Sequence, residues 1–260
     1  MKTPNNYKIA GIIPARYASS RFPGKPLAMI GSRTMIRRVF EQASKALEHV
    51  YVATDDERIY KAVTDFGGKA IMTSPDHMSG TDRCSEAADK IMENTGSAVD
   101  IVINIQGDEP FIRPEQIRLL ADCFDSEEVE LATLIRKVDT GEDIFNPNQP
   151  KVIVNISGDA IYFSRSVIPF IRDAEKAVWA EKHTYFKHIG LYAYRTETLK
   201  KITKLQRSTL ELAESLEQNR WIENGFKIRT AITKWESIGI DTPEDLEKAR
   251  LILEEFDKNC

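Results

Sequence analysis

Residues 99–105 read Val-Asp-Ile-Val-Ile-Asn-Ile. The run lacks the polar alternation of a strand with one wet face, so it reads as a strand covered on both sides. Such strands belong to parallel sheets sandwiched between helices. Shorter runs at 8–13, 49–53, 70–72 and 131–135 read the same way. Between them the apolar period changes to that of a helix. Met35, Ile36, Val39, Phe40 and Ala43 share one face, as do Ile59, Ala62, Val63 and Phe66. Further helices are expected over about 81–93 and from Pro114 through Phe124. This alternation predicts an α/β, doubly wound, mostly parallel sheet.

The pattern changes from about residue 139. The turn-rich FNPNQP at 145–150 is followed by a hairpin, 151–156 and 160–163, around Ser157-Gly158-Asp159. A strand at 188–194, one helix over 209–224 ended by Gly225, and a strand at 228–232 complete the core. Thr242 caps a last helix, with Pro243 at its first position and Glu244 and Asp245 near its positive end. No long linker divides the 260 residues. One domain, 1–260, with a smaller β-rich subdomain at about 139–205 is therefore expected.

The first strand runs into residues 12–27, IIPARYASSRFPGKPL. Two prolines flank Gly24-Lys25, and Arg16, Arg21 and Lys25 bring three cations. This is not the spacing of a Walker A loop. It reads as a surface turn or as an anion-binding loop, and the cluster of charge directly after a strand favours the anion. Asp108 follows the central strand at its carboxyl end. Asp241 follows Ile238-Gly239-Ile240 and precedes a helix. Two such carboxylates can share Mg²⁺, which takes few protein ligands and fills the rest with water and phosphate. Each also reads more plainly, as a turn acid and a helix-start acid, and spacing alone does not bring them together.

Competing chemistries are not in evidence. His49, His77, His183 and His188 lack metal-ligand spacing, and there is no G-x-S-x-G or G-x-G-x-x-G. Cys84 and Cys123 read as buried helix residues, and with Cys260 they form no disulfide framework. The polar start MKTPNNYK carries no apolar leader, so a cytoplasmic protein is expected. A net charge of −4 argues against a nucleic-acid partner, and no apolar run approaches membrane-spanning length.

Several motifs in one order resemble the 3-deoxy-manno-octulosonate (Kdo) cytidylyltransferases, or CMP-Kdo synthetases. Besides the basic loop they are YVATDDERI at 51–59, SGTDR at 79–83, NIQGDEPFI at 104–112, YFSRSVIP at 162–169, KHIGLYAYR at 187–195, LELAESLEQNRWIENG at 210–225 and IGIDTPEDLEKA at 238–249. The resemblance runs from Ile12 to about Arg250. It implies a GT-A/Rossmann-like nucleotidyltransferase that makes CMP-Kdo and pyrophosphate from CTP and Kdo for lipopolysaccharide assembly. It implies Arg16, Lys25, Asp108 and Asp241 as catalytic residues, the two acids holding Mg²⁺. It places Ala15, Arg16, Lys25, Ser79, Arg83 and Gln106 around CTP, and Gln106, Arg165, His188, Tyr192 and Glu214 around the sugar acid. It further implies a cytoplasmic homodimer whose β-rich subdomain dimerises. The rival within the same enzyme class is another sugar, 8-amino-Kdo or a sialic-acid-type substrate. A nucleotide-binding regulator needs no pair of metal acids, and a GT-A glycosyltransferase would carry D-x-D where this chain has Gly107-Asp108-Glu109. Two stretches depart from the family. Asn219 stands where leucine is usual, so its amide needs a partner, and residues 172–182, with Trp179, match no motif.

Overall fold

The structure, a computed structural model, describes residues 7–18, 21–139 and 141–258. The polar first residues, Ser19 and Ser20 of the basic loop, and Cys260 lie outside the described residues. The first half runs β1 (Ile9–Ala15), a small ribbon of β2 (Met29–Ile30) and β3 (Arg33–Thr34), α1 (Met35–Ser44), β4 (His49–Thr54), α2 (Glu57–Asp65), β5 (Ala70–Met72), α3 (Gly80–Thr95), β6 (Ile101–Asn104), α4 (Pro114–Asp122) and β7 (Leu131–Lys137). The second adds β8 (Lys151–Val154), β9 (Ala160–Ser164), α5 (Trp179–Lys182), β10 (Phe186–Arg195), α6 (Thr196–Ile202), α7 (Thr209–Glu214), α8 (Glu217–Glu223), β11 (Arg229–Ile232) and α9 (Pro243–Lys258).

The main sheet has the order β11-β7-β10-β6-β1-β4-β5. Neighbours are parallel from β6 to β5 and between β11 and β7. Ile12 and Ile13 are adjacent and fully buried, yet they belong to different cores. Ile36, Val39, Ile59, Val63, Ile117 and Leu120 cover one face from α1, α2 and α4. Cys84, Ala88, Leu199, Ile202 and Trp221 cover the other from α3, α6 and α8. This two-sided covering is why the strands are almost wholly apolar.

β10 breaks the parallel pattern, running antiparallel between β6 and β7. A parallel return needs a crossover across the sheet face. Here the chain instead makes the β8–β9 hairpin beyond the end of β7. β10 then enters opposite Lys137 and runs back. The sheet is thus mixed, though mostly parallel.

The single helix expected over 209–224 is two helices. Ser215 sits between them in the left-handed region (φ 51), which a residue with a Cβ seldom adopts. Side chains hold the break. The Glu214 carboxylate accepts from the Tyr162 hydroxyl (3.2 Å), Ser164 Oγ (2.6 Å) and the Arg165 backbone N–H (2.9 Å). Arg165 Nε donates back to the Glu214 carbonyl (2.7 Å). Asn219, fully buried, finds the partner its amide requires. Its Nδ2 donates to the Phe163 carbonyl (3.0 Å) and its Oδ1 accepts from the Phe163 N–H (3.4 Å), joining α8 to β9 as a strand would. Trp179 is the centre of a small separate core with Ile144 and Tyr185. Its indole N–H donates to the Ala174 carbonyl (3.0 Å). No helix among the described residues is long and apolar enough to cross a membrane.

Candidate active site

The basic loop leaves the carboxyl end of β1 and folds back on itself. Gly24 donates its N–H to the Tyr17 carbonyl (2.9 Å) from a left-handed conformation (φ 74), open to glycine without strain. The Arg58 guanidinium lies over the Tyr17 ring, 3.3 Å from its centroid, and pairs with Asp56. This stack fixes the loop's entry. Lys25 then begins a single 3₁₀ turn, Lys25–Leu27.

That turn delivers the Lys25 ammonium to both candidate metal acids. Nζ lies 2.6 Å from Asp108 Oδ2 and 3.3 Å from Asp241 Oδ1. The Lys25 side chain is only 14% exposed. Arg21 adds a second cation 3.2 Å from Asp241, from a mostly exposed position. The backbone sews the two acid segments together, since the Ile240 N–H donates to the Asp108 carbonyl (2.9 Å). Gly107 is required for the close approach of β1: a Cβ there would lie 2.8 Å from the Pro14 carbonyl oxygen. The spacing left open whether Asp108 and Asp241 meet. They meet around one shared cation. Beside them Glu109 is buried, and burial pushes its carboxyl up to about 7. A hydrogen bond from Ser237 opposes this rise and the Asp108 charge adds to it.

A cleft of about 470 Å³ opens over this pair. Ala15, Arg16, Lys25, Ser79, Arg83, Gln106, Asp108 and Asp241 all line it. Ser79 is both cleft wall and helix cap. It accepts from the Asp82 N–H (3.1 Å) while the Asp82 side chain accepts from the Ser79 N–H (3.1 Å). Arg83 is no surface cation: it is 1% exposed, 3.3 Å from Asp55, and donates to Thr73 Oγ1 (2.5 Å). It therefore stiffens the wall and adds positive charge behind it.

Arg165, His188, Tyr192 and Glu214 lie outside the lining of this cleft. Gln106 links the two groups, donating Nε2 to the Gly190 carbonyl (3.2 Å) where β10 bulges. Arg165 spends three N–H groups on the carbonyls of Glu214, Pro147 and Ser215. One N–H on each terminal nitrogen remains for an anion. Glu214 is taken up in holding the helix break, and those donors lower its pKa against the opposing effect of burial. Glu211 likewise proves structural, buried between Arg207 and Arg220.

His188 packs edge-on against Phe163 (centroids 5.0 Å). Thr133 Oγ1 donates to the Leu191 carbonyl (2.8 Å), so it accepts from His188 Nε2 (3.1 Å), leaving Nδ1 as a free acceptor. Burial drives the imidazole pKa down to about 3. Below about pH 6.5 the unfolded chain takes up a proton here that the folded chain refuses. Stability should thus fall as pH drops from there, by up to about 1.4 kcal/mol per pH unit. Urea unfolding of the parent and His188→Asn between about pH 7 and pH 5 checks this. The parent should lose more stability, and equal slopes would contradict the neutral buried ring.

Glu217, within the 210–225 motif, also reaches the cleft wall. It accepts from Thr81 Oγ1 (2.8 Å) on the cleft-side end of α3 and from Arg220 (2.6 Å). Burial raises its carboxyl, against hydrogen bonds from Thr81 and Ser79 and the charge of Arg220. Three residues beyond Glu214, it would share that residue's face in one continuous helix, but the break at Ser215 turns it towards Thr81 instead.

Residues 10–230 match the cytidylyltransferase family. The chain is 58% identical to the 3-deoxy-manno-octulosonate cytidylyltransferase of Bacteroides thetaiotaomicron, over 97% of this chain and 99% of that one. It is 56% identical to the enzyme of the same name from Parabacteroides distasonis, over 95% and 98%. Among solved structures it is similar to CMP:2-keto-3-deoxy-manno-octonic acid synthetase complexed with CTP, with a TM-score of 0.86 and 44% identity over 95% of this chain and 99% of that one. With the basic loop and both acids gathered in one cleft, the chain belongs to the cytidylyltransferase family, among the 3-deoxy-manno-octulosonate cytidylyltransferases.

Proposed function

We propose that this enzyme transfers the cytidylyl group of CTP to the anomeric hydroxyl of Kdo, releasing pyrophosphate. The observation that carries the reading is the cation-bridged acid pair, Asp108–Lys25–Asp241, at the floor of a basic cleft. The sugar hydroxyl oxygen forms the new bond to the α-phosphorus. The bond from the α-phosphorus to the bridging β-phosphate oxygen breaks with its electron pair leaving on pyrophosphate, and the hydroxyl proton passes to water. Arg16 and Lys25 face the triphosphate. Their charge counts most as the leaving pyrophosphate gains negative charge, so they lower the barrier rather than merely tighten binding. The free N–H groups of Arg165 suit the sugar carboxylate, and His188 Nδ1 suits a sugar hydroxyl.

Asp108 and Asp241 fit Mg²⁺: two carboxylates already share one cation, and the ion's other ligands are phosphate and water. Bound there, the metal supplies Lewis-acid polarisation of the phosphoryl group and acidifies the attacking hydroxyl. The chain's own contribution is to hold both acids on short segments tied backbone to backbone. Burial of Glu109 next to Asp108 raises its carboxyl to about 7, which lessens a third negative charge beside the cleft floor.

A cytoplasmic homodimer is part of the same reading. The exposed side chains of Ile156, Ile161 and Phe170 in the β8–β9 region supply apolar surface for a second copy. The product would feed lipopolysaccharide assembly. A panel of sugar acids offered with CTP and Mg²⁺, scored by pyrophosphate release, tests the assignment. Turnover should be fastest with Kdo. Turnover confined to 8-amino-Kdo or to a sialic acid would move the assignment to that sugar.

A further inference from the structure

Lys187 lies on β10, next to His188, with its side chain 4% exposed. A buried ammonium is costly unless it is fully paired. This one lies between two carboxylates from different loops, Glu142 and Glu236. Glu142 is itself fixed, by Arg136 Nη1 (2.6 Å) and the Asp139 backbone N–H (2.9 Å). Burial alone would raise the Glu142 carboxyl, but the bonds from Lys187 and Arg136 overcome this and hold it at about 2. The Glu142 side of the pair is therefore charged and rigid.

Glu236 is different. It belongs to the connection from β11 to Asp241, which has no helix or strand of its own. That connection is fastened at its start by the Thr233 N–H on the Ile135 carbonyl (2.9 Å) and at its end by the Ile240 N–H on the Asp108 carbonyl (2.9 Å). Between these points Lys187 grips Glu236, the Trp235 N–H donates to Thr233 Oγ1 (3.1 Å) and Ser237 bonds the buried Glu109 carboxyl, while Ile238 and Gly239 are exposed. The grip shortens the free path to Asp241 and ties it to the strand that carries His188.

We propose that Lys187 is a positioning residue for Asp241, acting through Glu236 to hold that carboxylate where it can share a cation with Asp108. The proposal rests on the reading of Asp241 as a metal acid. Lys187 touches no substrate. Its loss loosens the stretch around Glu236 while the Ile240 N–H stays on the Asp108 carbonyl, so part of the ordering of Asp241 has to be supplied when a cation binds. Ordering that has to be supplied on binding weakens binding.

The test measures Mg²⁺ dependence of turnover and, separately, Mn²⁺ binding by electron paramagnetic resonance in the presence of a non-reactive CTP analogue. Lys187→Met and Glu236→Gln should each raise the half-saturating metal concentration about tenfold in both assays. At saturating Mg²⁺ the KM for CTP and for Kdo should change less than about twofold, as expected when only the ordering of one ligand is lost. Lys187→Arg, which keeps the charge, should restore most of the metal affinity. Glu236 is 46% exposed, so its variant folds even if Lys187→Met does not. Glu142→Gln should lower thermal stability without moving the metal requirement. A fall in melting temperature with unchanged metal affinity in Glu236→Gln would overturn the proposal. Asp241→Asn is the control for the underlying reading. If it leaves Mn²⁺ binding unchanged, the metal role of Asp241 falls, and the positioning role with it.

Discussion

Asp108→Asn should lower pyrophosphate release by about a thousandfold while leaving the fold and its melting temperature close to those of the parent. The substitution is isosteric. It keeps the Asp108 carbonyl that accepts the Ile240 N–H, so the two acid segments stay joined. What it removes is one of the two negative charges that share the cation, at the position nearest Lys25 (2.6 Å). Metal-assisted stabilisation of a reacting phosphoryl group is worth several kcal/mol, and about 4 kcal/mol corresponds to three powers of ten in rate. Stability should change little, because the isosteric amide stays within reach of Lys25 and leaves no bulk or cavity behind. Lys25 also keeps Asp241 as a partner. Pyrophosphate release beside a thermal melt separates the two effects. A rate within tenfold of the parent would remove Asp108 from the chemistry.

Much of this site can be read from order along the chain, and the reason is topological. In a sheet of this kind ligands collect beyond the carboxyl ends of the strands. A strand followed at once by a basic loop, and another followed by Gln106-Gly107-Asp108, therefore put their polar residues into one cleft. Ala15, Arg16, Lys25, Ser79, Arg83, Gln106, Asp108 and Asp241 do line the same space. The two-sided burial of β1 and β6 follows just as directly from their lack of alternation. What cannot be read is set by contacts between distant segments. The reversal of β10 depends on where the β8–β9 hairpin leaves the sheet. The helix break at Ser215 depends on Tyr162, Ser164 and Arg165 reaching Glu214 from some 50 residues away. Asn219 looks like a fault in an apolar helix face until Phe163 supplies both of its hydrogen bonds. Lys187 looks like an ordinary strand cation until Glu142 and Glu236 close on it. Local pattern encodes which face of an element is covered. It does not encode which backbone group lies opposite.

Lys25→Met should move metal binding and turnover in opposite directions. The Lys25 ammonium holds the position that a cation shared by Asp108 and Asp241 would take. On the function proposed above it would compete for that position as well as bind phosphate. Two unit charges about 4 Å apart attract by about 4 kcal/mol at the effective dielectric of a protein surface, and partial exposure of Asp241 screens this further. Removing the competitor leaves the two carboxylates with Arg21 paired to Asp241, so Mn²⁺ should bind the free variant about tenfold more tightly than the parent, in line with a screened attraction of that size. With CTP present the advantage reverses. With Mg²⁺ held by Asp108 and Asp241, the Lys25 charge in the parent would be available to the triphosphate, where the leaving group gains negative charge. The variant has no charge to release, and turnover should fall by about a hundredfold or more. Mn²⁺ titration followed by electron paramagnetic resonance, beside pyrophosphate release at saturating Mg²⁺, reads both arms. Weaker Mn²⁺ binding in the variant would mean that Lys25 helps to build the metal site rather than to guard it. Tighter binding with full turnover would mean that Arg16 and Arg21 carry the triphosphate without it.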